Sequence, residues 1–331
     1  MRFDVINIGC KVNRVEVDAA AAALMANGAT LTHEAPLDVV VMNTCTVTAE
    51  ADKKTRKAVR QALRSHPEAA VLVTGCAAVM NPSWFEKLDG RVHVVAKNQV
   101  ASAAWDYVSD LPCPTANADA LLRTGVGFRT RVGIKAQDGC NNACTYCIVH
   151  VARGESRSMP FESIVEEACA HSRADVRELV LTGINLGAYK DRGRTLADLF
   201  SALLEACPET RFRIGSIEPR DVDDALIDLI AQSDGRICRH LHLPLQSGSS
   251  RVLREMARPY DAPFFLDLVP RMRAAFQDLR YQRISSSDSP GKRMVISKQR
   301  SMWRANPHSR RFTCSVTRRE REPPRPNAAT K

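Results

Sequence analysis

Three cysteines on one short segment have the clearest chemical potential in this sequence. Cys140, Cys144 and Cys147 are separated by three and then two residues, and they follow a strand-like run at 131–136. Thiolates this close on one loop converge on a single soft metal centre. Three thiolates can hold a four-iron cubane and leave one iron open to chelate a small molecule. A zinc loop with His150 as fourth ligand is the alternative, although zinc ligands usually come as two separated pairs.

A second set of cysteines recurs at equivalent positions in the first hundred residues. Apolar runs at 3–8, 38–42, 69–74 and 92–96 alternate with helix-like stretches, which predicts an open, mostly parallel α/β sheet. Cys10, Cys45 and Cys76 each come just after one such run. Adjacent parallel strands bring their carboxyl ends to one edge, where α/β sheets bind ligands. We therefore predict a second cluster site; three separately buried thiols are the alternative.

Both cysteine sets lie in segments that resemble the methylthiotransferase family of radical S-adenosylmethionine (SAM) enzymes. The aromatic Tyr146 before the last cysteine completes the radical SAM pattern, and Gly-Cys-Lys-Val-Asn at 9–13 and Val-Thr-Gly-Cys at 73–76 resemble the family's amino-terminal domain. The sequence at 9–13 is most similar to that of the branch that modifies N6-threonylcarbamoyladenosine in tRNA. The chain departs from the family directly after Cys76, where Ala-Ala-Val at 77–79 replaces the usual Tyr-Ala-Gln.

The resemblance implies two [4Fe–4S] clusters, SAM as cofactor and tRNA as partner. The cluster on Cys140, Cys144 and Cys147 would split SAM to a 5′-deoxyadenosyl radical, which takes hydrogen from carbon 2 of the adenine, and the other cluster would hold or donate sulfur. Another tRNA adenosine or a ribosomal protein is the alternative substrate. By resemblance, the residues near SAM are Tyr146, Gly183, Asn185, Ser216 and Glu218, and those near substrate are Arg153, Arg157, Gln246 and Ser247. Each of these could instead serve loop structure.

The remaining pattern divides the chain into four parts. Residues 1–105 form the amino-terminal domain, and residues 106–129, which contain Pro112 and Pro114 and have no clear period, read as a linker. Residues 130–280 repeat strand and helix signals, which predicts a partial (β/α)6 radical SAM barrel. Residues 281–331 break this pattern.

The last part of the chain carries all of the net charge. It holds 13 of the 47 basic and 3 of the 37 acidic residues, a net of +10, so residues 1–280 hold 34 of each sign. Back-translation of 287–292 at a one-base offset can encode Gly-Phe-Pro-Gly-Glu, which resembles the family's continuation at this place, and 281–283 and 311–315 give family-like segments at the same offset. We therefore predict a frameshift near Arg280 and a disordered basic tail. An inactive truncated product, without the family's carboxyl-terminal RNA-binding β-barrel, is a further alternative.

Targeting signals, membrane-spanning runs and cysteine usage indicate the cellular context. The first residues lack the basic start and long apolar run of a signal peptide, and no run of 18 apolar residues occurs. Eleven cysteines fit reduced thiols and metal ligation better than a disulfide scaffold. We expect a cytoplasmic enzyme, whose sulfur and electron donors the sequence does not identify.

Overall fold

The computed structural model describes residues 1–45, 49–107, 131–275 and 280–285. The predicted linker at 106–129 lies outside the described residues apart from its first two, and so does the tail at 281–331 apart from 281–285. The described chain is α/β, as predicted, with a parallel sheet followed by a barrel-like domain.

The amino-terminal domain is built on a five-stranded sheet in the order β2-β1-β3-β4-β5, with all pairs parallel. Its strands are β1 (Arg2–Asn7), β2 (Thr30–Leu31), β3 (Val39–Thr44), β4 (Ala70–Gly75) and β5 (Val92–Val94). All six residues of β3 are buried, because a parallel strand covered on both faces reads as a continuous apolar run and not as an alternation.

Helices cover both faces of this sheet. Its helices are α1 (Lys11–Ala26), α2 (Ala49–Ser65), α3 (Cys76–Met80), α4 (Pro82–Glu86) and α5 (Val100–Asp106). The apolar stripes of α1 and α5 pack on the face that carries Phe3 and Val41. The apolar residues of α2, α3 and α4 pack on the opposite face, around Val40 and Val71. The short β2 and α3, which sequence reasoning missed, lie at the sheet edge and directly after β4.

The second domain is a curved set of strands that are parallel apart from one short antiparallel pair, Gln137–Asp138 with Arg157–Ser158. Its strands are β6 (Val132–Lys135), β7 (Gln137–Asp138), β8 (Arg157–Ser158), β9 (Glu178–Thr182), β10 (Arg211–Ile214), β11 (His240–Gln246) and β12 (Arg280–Ser285). Strands β6, β9 and β10 form one parallel sheet, β11 pairs with β12, and single bridges at Phe212–Ile237 and Ser216–His242 join the two groups. The strand β12 begins at Arg280 and pairs with β11 up to Ser285, so the first five residues of the segment predicted as a disordered tail, 281–285, form a strand instead.

Six helices accompany these strands, and the four longer ones pack with them around one apolar core. They are α6 (Val149–Arg153), α7 (Phe161–Arg173), α8 (Leu196–Ala206), α9 (Asp224–Gln232), α10 (Ser250–Glu255) and α11 (Ala262–Ala275). A capping box fixes the start of α8, where Thr195 and Asp198 satisfy each other's backbone N–H groups. No helix among the described residues is long and apolar enough to cross a bilayer.

The two domains are in direct contact through α1 and β6. A Cβ on Gly133 of β6 would come within 2.5 Å of the Val15 side chain of α1. Because a branched valine cannot swing its methyl groups away freely, only glycine allows this close approach. The helix that begins after Cys10 therefore lies against the first strand of the second domain.

Candidate active site

The loop that carries Cys140, Cys144 and Cys147 connects β7 to α6 and is anchored on both sides. A Cβ on Gly139 would lie 1.9 Å from the Glu155 carbonyl oxygen, and this glycine has a φ of 69°, so the backbone crossing requires glycine. On the other side, the Thr145 N–H donates to the carbonyl of Met256 at 3.2 Å. The loop is thus fixed between α6 and the segment after α10.

The sulfur atoms of this loop receive hydrogen bonds of the kind that stabilise thiolates. The Asn142 N–H donates to Cys140 Sγ at 3.4 Å, and the Arg258 guanidinium donates to Cys144 Sγ at 3.2 Å. The first two backbone N–H groups of α6 donate to Cys147. Burial raises the pKa of the Cys140 and Cys147 thiols, and their cysteine neighbours raise it further. Metal ligation would offset this, because a metal deprotonates the thiols that bind it.

A site for a single ion is not formed by these residues. Over the described ranges, no three histidine, cysteine or carboxylate side chains converge closely enough to hold one metal ion. The zinc alternative with His150 therefore has no support from the geometry. A four-iron cluster is wider than a single ion, so the prediction of two clusters remains a prediction.

The three amino-terminal cysteines follow three neighbouring strands of the sheet. Strands β1, β3 and β4 are adjacent, and the register pairs Thr44 with Gly75, so Cys45 and Cys76 are the next residue of each strand. A Cβ on Gly75 would lie 2.4 Å from the Thr44 carbonyl oxygen, which shows how closely these ends approach. Cys45 and Cys76 are buried, whereas Cys10 is exposed. The sheet therefore brings the three positions to one edge, as its predicted topology requires.

Asn13 connects this edge to the second domain. Its side chain is fully buried, and its Oδ1 accepts from the Cys10 thiol at 3.2 Å and from the Arg153 guanidinium at 2.5 Å. Its Nδ2 donates to Asn43 Oδ1 at 2.8 Å and to the Thr44 carbonyl at 3.0 Å. One amide thus contacts one cysteine of the set and the end of the strand that carries another.

Arg153, the last residue of α6, lies in a buried ion network. Its Nη1 donates to Glu16 Oε1 at 2.9 Å and to Asp138 Oδ1 at 2.8 Å. Lys97 and Lys135 approach the same Glu16 carboxylate at 3.4 and 3.1 Å. Burial alone would raise the pKa of Glu16, but Arg153 and the two lysines hold it below its usual value. Burial alone would lower the pKa of Arg153, but the carboxylates hold it above its usual value.

The two arginines predicted near substrate therefore lie in different surroundings. The Arg153 side chain is 1% exposed, whereas the Arg157 side chain is 60% exposed and 4.0 Å from Asp138. Arg157 is accessible to an anionic ligand. Arg153 is accessible only to the protein groups that surround it.

A second buried arginine, which the sequence did not indicate, organises the other side of the cysteine loop. Arg258 is 4% exposed and forms an ion pair with Glu218. The same guanidinium donates to the Tyr146 hydroxyl at 3.1 Å and to the Tyr260 hydroxyl at 3.0 Å, besides Cys144. Burial alone would lower the pKa of Arg258, but the Glu218 carboxylate raises it above its usual value. Two predicted SAM-site residues, Tyr146 and Glu218, are thus joined by one side chain.

The end of β9 offers a buried acceptor at the position predicted for SAM. Asn185 is 5% exposed, its Oδ1 has no hydrogen-bond partner among the described residues, and its N–H donates to Gln137 Oε1 at 2.8 Å. A Cβ on Gly183 would approach the Gln137 side chain to 3.0 Å, so this turn packs closely against β7. An orphaned buried oxygen of this kind suits an ammonium or hydroxyl donor from a ligand.

The remaining predicted residues lie at the ends of β10 and β11. Ser216 forms a short hydrogen bond with His242 Nδ1. Gln246 has a φ of 61°, and Ser247 is 1% exposed, with its hydroxyl accepting from the Ser249 N–H at 3.2 Å. All of these positions lie at the carboxyl ends of the strands, where barrel enzymes place their chemistry.

Three residues of the site were not predicted from the sequence. Asn13 belongs to a recognised motif, but its contact with Arg153 joins residues 140 positions apart. Glu16 looks like an ordinary polar residue of an amphipathic helix. Arg258 lies in the loop between α10 and α11, where no periodicity gives a signal. A charged residue becomes recognisable as part of a site only when tertiary structure buries it.

Known protein families match both domains. Residues 2–96 match the family described as "Uncharacterized protein family UPF0004", and residues 134–284 match the radical SAM superfamily. The second match implies a [4Fe–4S] cluster and SAM.

Relatives of the chain are named as tRNA-modifying proteins. The chain is 37% identical over 284 residues to the threonylcarbamoyladenosine tRNA methylthiotransferase MtaB of Chlamydia pneumoniae, covering 84% of this chain and 65% of that protein. It is 32% identical over 278 residues to the Aquifex aeolicus protein of the same name, covering 79% and 67%. A tRNA-2-methylthio-N(6)-dimethylallyladenosine synthase of Porphyromonas gingivalis is 33% identical over 291 residues, covering 82% and 62%. The chain spans about two thirds of the length of these relatives.

Solved structures show the same fold at low sequence identity. The radical SAM methyltransferase TsrM of Kitasatospora setae aligns with a TM-score of 0.58 at 12% identity, covering 91% of this chain and 71% of that one. The cobalamin-dependent radical SAM enzyme OxsB aligns with a TM-score of 0.56 at 10% identity, covering 86% and 49%. The architecture of a sheet domain followed by a radical SAM barrel is therefore shared with solved proteins.

Proposed function

Because the chain belongs to the MtaB-like branch of the radical SAM methylthiotransferases, we propose that it is built to modify tRNA. The proposed reaction inserts sulfur and a methyl group at C2 of N6-L-threonylcarbamoyladenosine next to the anticodon. The observation that carries this proposal is the presence of two sets of three cysteines, one on each of two domains that contact each other. We expect the protein to act in the cytoplasm, where tRNA is modified.

The two cysteine sets suit the two [4Fe–4S] clusters that this reaction needs. Cys140, Cys144 and Cys147 would hold a [4Fe–4S] cluster, because their sulfurs already receive hydrogen bonds that favour thiolates. With SAM bound, such a cluster supplies a 5′-deoxyadenosyl radical. Cys10, Cys45 and Cys76 would hold a second [4Fe–4S] cluster at the edge of the sheet.

The chain's polar groups would bind and orient SAM. The unpartnered Oδ1 of Asn185 would accept a hydrogen bond from the SAM ammonium group. Gly183 keeps this turn close to β7, and Arg157 offers an exposed cation to a carboxylate or phosphate. Glu218 and Ser216 lie at the end of β10, within the part of the site that we assign to the SAM ribose.

The proposed partner, tRNA, suits an exposed basic face of α2. Lys53, Lys57, Arg60 and Arg64 are all exposed and recur at helical spacing on one side of the helix. The helix contains six basic and two acidic residues, in a chain whose first 280 residues are neutral. A stripe of cations of this kind matches the phosphates of an RNA backbone. The stripe begins eight residues after Cys45 in the sequence, so the proposed RNA surface belongs to the same domain as Cys10, Cys45 and Cys76.

Iron and SAM binding test the proposal directly. Protein reconstituted with iron and sulfide under anaerobic conditions should bind about eight irons per chain. Cys144→Ala should lose about half of them and the spectral response to SAM, whereas Cys76→Ala should lose a similar amount of iron and keep that response. Cys169→Ala is a matched control outside both sets and should bind as much iron as the wild type. Full iron content in Cys144→Ala would refute the assignment.

The tail at 281–331 is proposed to be out-of-frame translation and not an RNA-binding arm. The offset found by back-translation supports this, and the radical SAM match ends at residue 284. Sequencing the coding DNA around codon 280 should show one inserted or deleted base. A second test compares the chain as it stands with a frame-restored version: we expect tRNA methylthiolation only from the latter. Robust methylthiolation by the chain as it stands would disprove the frameshift hypothesis.

A further inference from the structure

Arg153 is the most completely enclosed charged group at the boundary between the two domains. Its side chain is 1% exposed, and its guanidinium donates to the side chains of three residues, two of which belong to the other domain. Asn13 and Glu16 come from α1 of the amino-terminal domain, and Asp138 comes from β7 of the barrel. A buried guanidinium with hydrogen bonds on two sides fixes the relative position of its partners.

The partners of Arg153 touch both cysteine sets. On one side, the Asn13 oxygen that Arg153 contacts also accepts from the Cys10 thiol at 3.2 Å. On the other side, Asp138 is two residues before Cys140, and its carboxylate accepts from the Gly139 N–H at 2.9 Å. The α6 helix that ends with Arg153 also packs against α3, which begins at Cys76. One guanidinium therefore lies between the two sites and is bonded towards each.

From this arrangement we propose that Arg153 is a positioning residue that fixes the separation of the two cysteine sets. The inference rests on the proposed function, in which both sets act on one carbon of the nucleoside. Positioning matters there, because a displacement of about 1 Å can lower a rate by about a hundredfold. Lysine cannot replace this arginine, because a single ammonium group cannot reach the Asn13 amide, the Glu16 carboxylate and the Asp138 carboxylate in one plane.

Hydrogen exchange tests the proposal on the full chain without bound cofactors. Arg153→Lys should speed amide exchange at least tenfold in the first turns of α1 and in α6, and leave β4 unchanged. Arg236→Lys is the matched control, since Arg236 is a partly buried arginine whose guanidinium donates to the carbonyls of Leu204 and Thr210 far from both sites. The control should leave exchange in α1 and α6 as in the wild type.

A distance measurement gives the second readout. In reconstituted chain, pulsed EPR between the two reduced clusters should give a narrow distance distribution for the wild type and for Arg236→Lys. Arg153→Lys should widen or shift that distribution while both clusters remain bound. A purely structural arginine would lower stability without changing this distance.

Each outcome decides the proposal. Wild-type protection of α1 and α6 in Arg153→Lys, or an unchanged distance, overturns it. If Arg153→Lys does not fold, Glu16→Gln keeps the Arg153–Asp138 pair and should show the same effects in milder form. If the wild type binds only one cluster, the proposed function fails, whereas hydrogen exchange still decides whether Arg153 holds the domains together.

Discussion

The ion pair between Arg258 and Glu218 allows a quantitative prediction about stability. Arg258 is 4% exposed and Glu218 is 15% exposed, so neither charge has free access to water. Arg258→Met keeps an apolar side chain of similar length but leaves the Glu218 carboxylate buried without a cation. Removing one partner of a buried pair costs about 3–5 kcal/mol. The hydrogen bonds to the hydroxyls of Tyr146 and Tyr260 are lost as well.

The pH dependence of this loss has a definite sign. Burial raises the pKa of Glu218 above its usual value even with Arg258 present. Without Arg258 the pKa rises further, and a raised carboxyl pKa lowers stability at pH values above the pKa of the unfolded chain. The destabilisation by Arg258→Met should therefore be larger at pH 8 than at pH 5. At the lower pH the carboxyl group binds a proton and avoids most of the penalty.

Urea unfolding followed by far-UV circular dichroism measures these losses. The double variant Arg258→Met, Glu218→Gln should recover more than half of the stability lost by the single variant, because no buried charge remains. Arg251→Met is the matched control: Arg251 pairs with Glu255 in α10, but the two side chains are 55% and 49% exposed. Exposed pairs contribute about 0–1 kcal/mol. A loss below about 1 kcal/mol for Arg258→Met, or no recovery in the double variant, would refute the reasoning.

Two further predictions concern the domain boundary and the basic helix. The pKa of Glu16 is held below its usual value of 4.5, so its pairing contributes stability above that pH and loses it as pH falls through the lower folded value. Glu16→Gln should cost about 3 kcal/mol at pH 7 in urea unfolding, with the difference from wild type shrinking below pH 4.5; a difference that grows in acid would contradict this. Reversing Lys57 and Arg60 to Glu should lower affinity for a tRNA anticodon stem-loop at least tenfold and reduce the salt dependence of binding by about two phosphate contacts, measured by fluorescence anisotropy with the same tail in every variant. The double variant Arg177→Glu, Arg211→Glu changes two exposed arginines at the amino-terminal ends of β9 and β10 and alters the net charge by the same amount. It should leave both quantities unchanged, and an equal loss in this control would show that only net charge matters.

Sequence periodicity was sufficient for the architecture because each domain repeats one simple unit. The apolar run at 38–42 became β3, and the run at 69–74 became β4, within a residue or two of the predicted bounds. Buried parallel strands are nearly uniform in hydrophobicity, so they stand out from the amphipathic helices between them. The cysteines after β3 and β4 could be placed at one edge for the same reason. The two-residue β2 was too short to have a pattern.

The contacts of the site could not be derived in this way. The resemblance to the family placed Arg153 and Arg157 together near substrate. The structure separates them, because Arg153 at the end of α6 is buried against α1, whereas Arg157 in β8 lies at the surface. This difference in burial depends on how the two domains pack, which the local sequence does not determine. The same holds for Arg258, whose partners lie up to 114 residues away.

The position of the buried charges supports a role in orientation more than in stability. Burying an ion pair costs desolvation energy that its attraction scarcely offsets, so apolar residues of similar volume would stabilise the boundary as well or better. Apolar contacts, however, permit sliding, whereas a planar guanidinium with three fixed acceptors permits one arrangement. Here the two enclosed arginines lie on either side of the same cysteine loop, one bonded to the sheet domain and the other to the end of β10. A site that must present one substrate atom to groups on two domains needs that kind of restraint, which close packing such as that of Gly133 against Val15 does not supply.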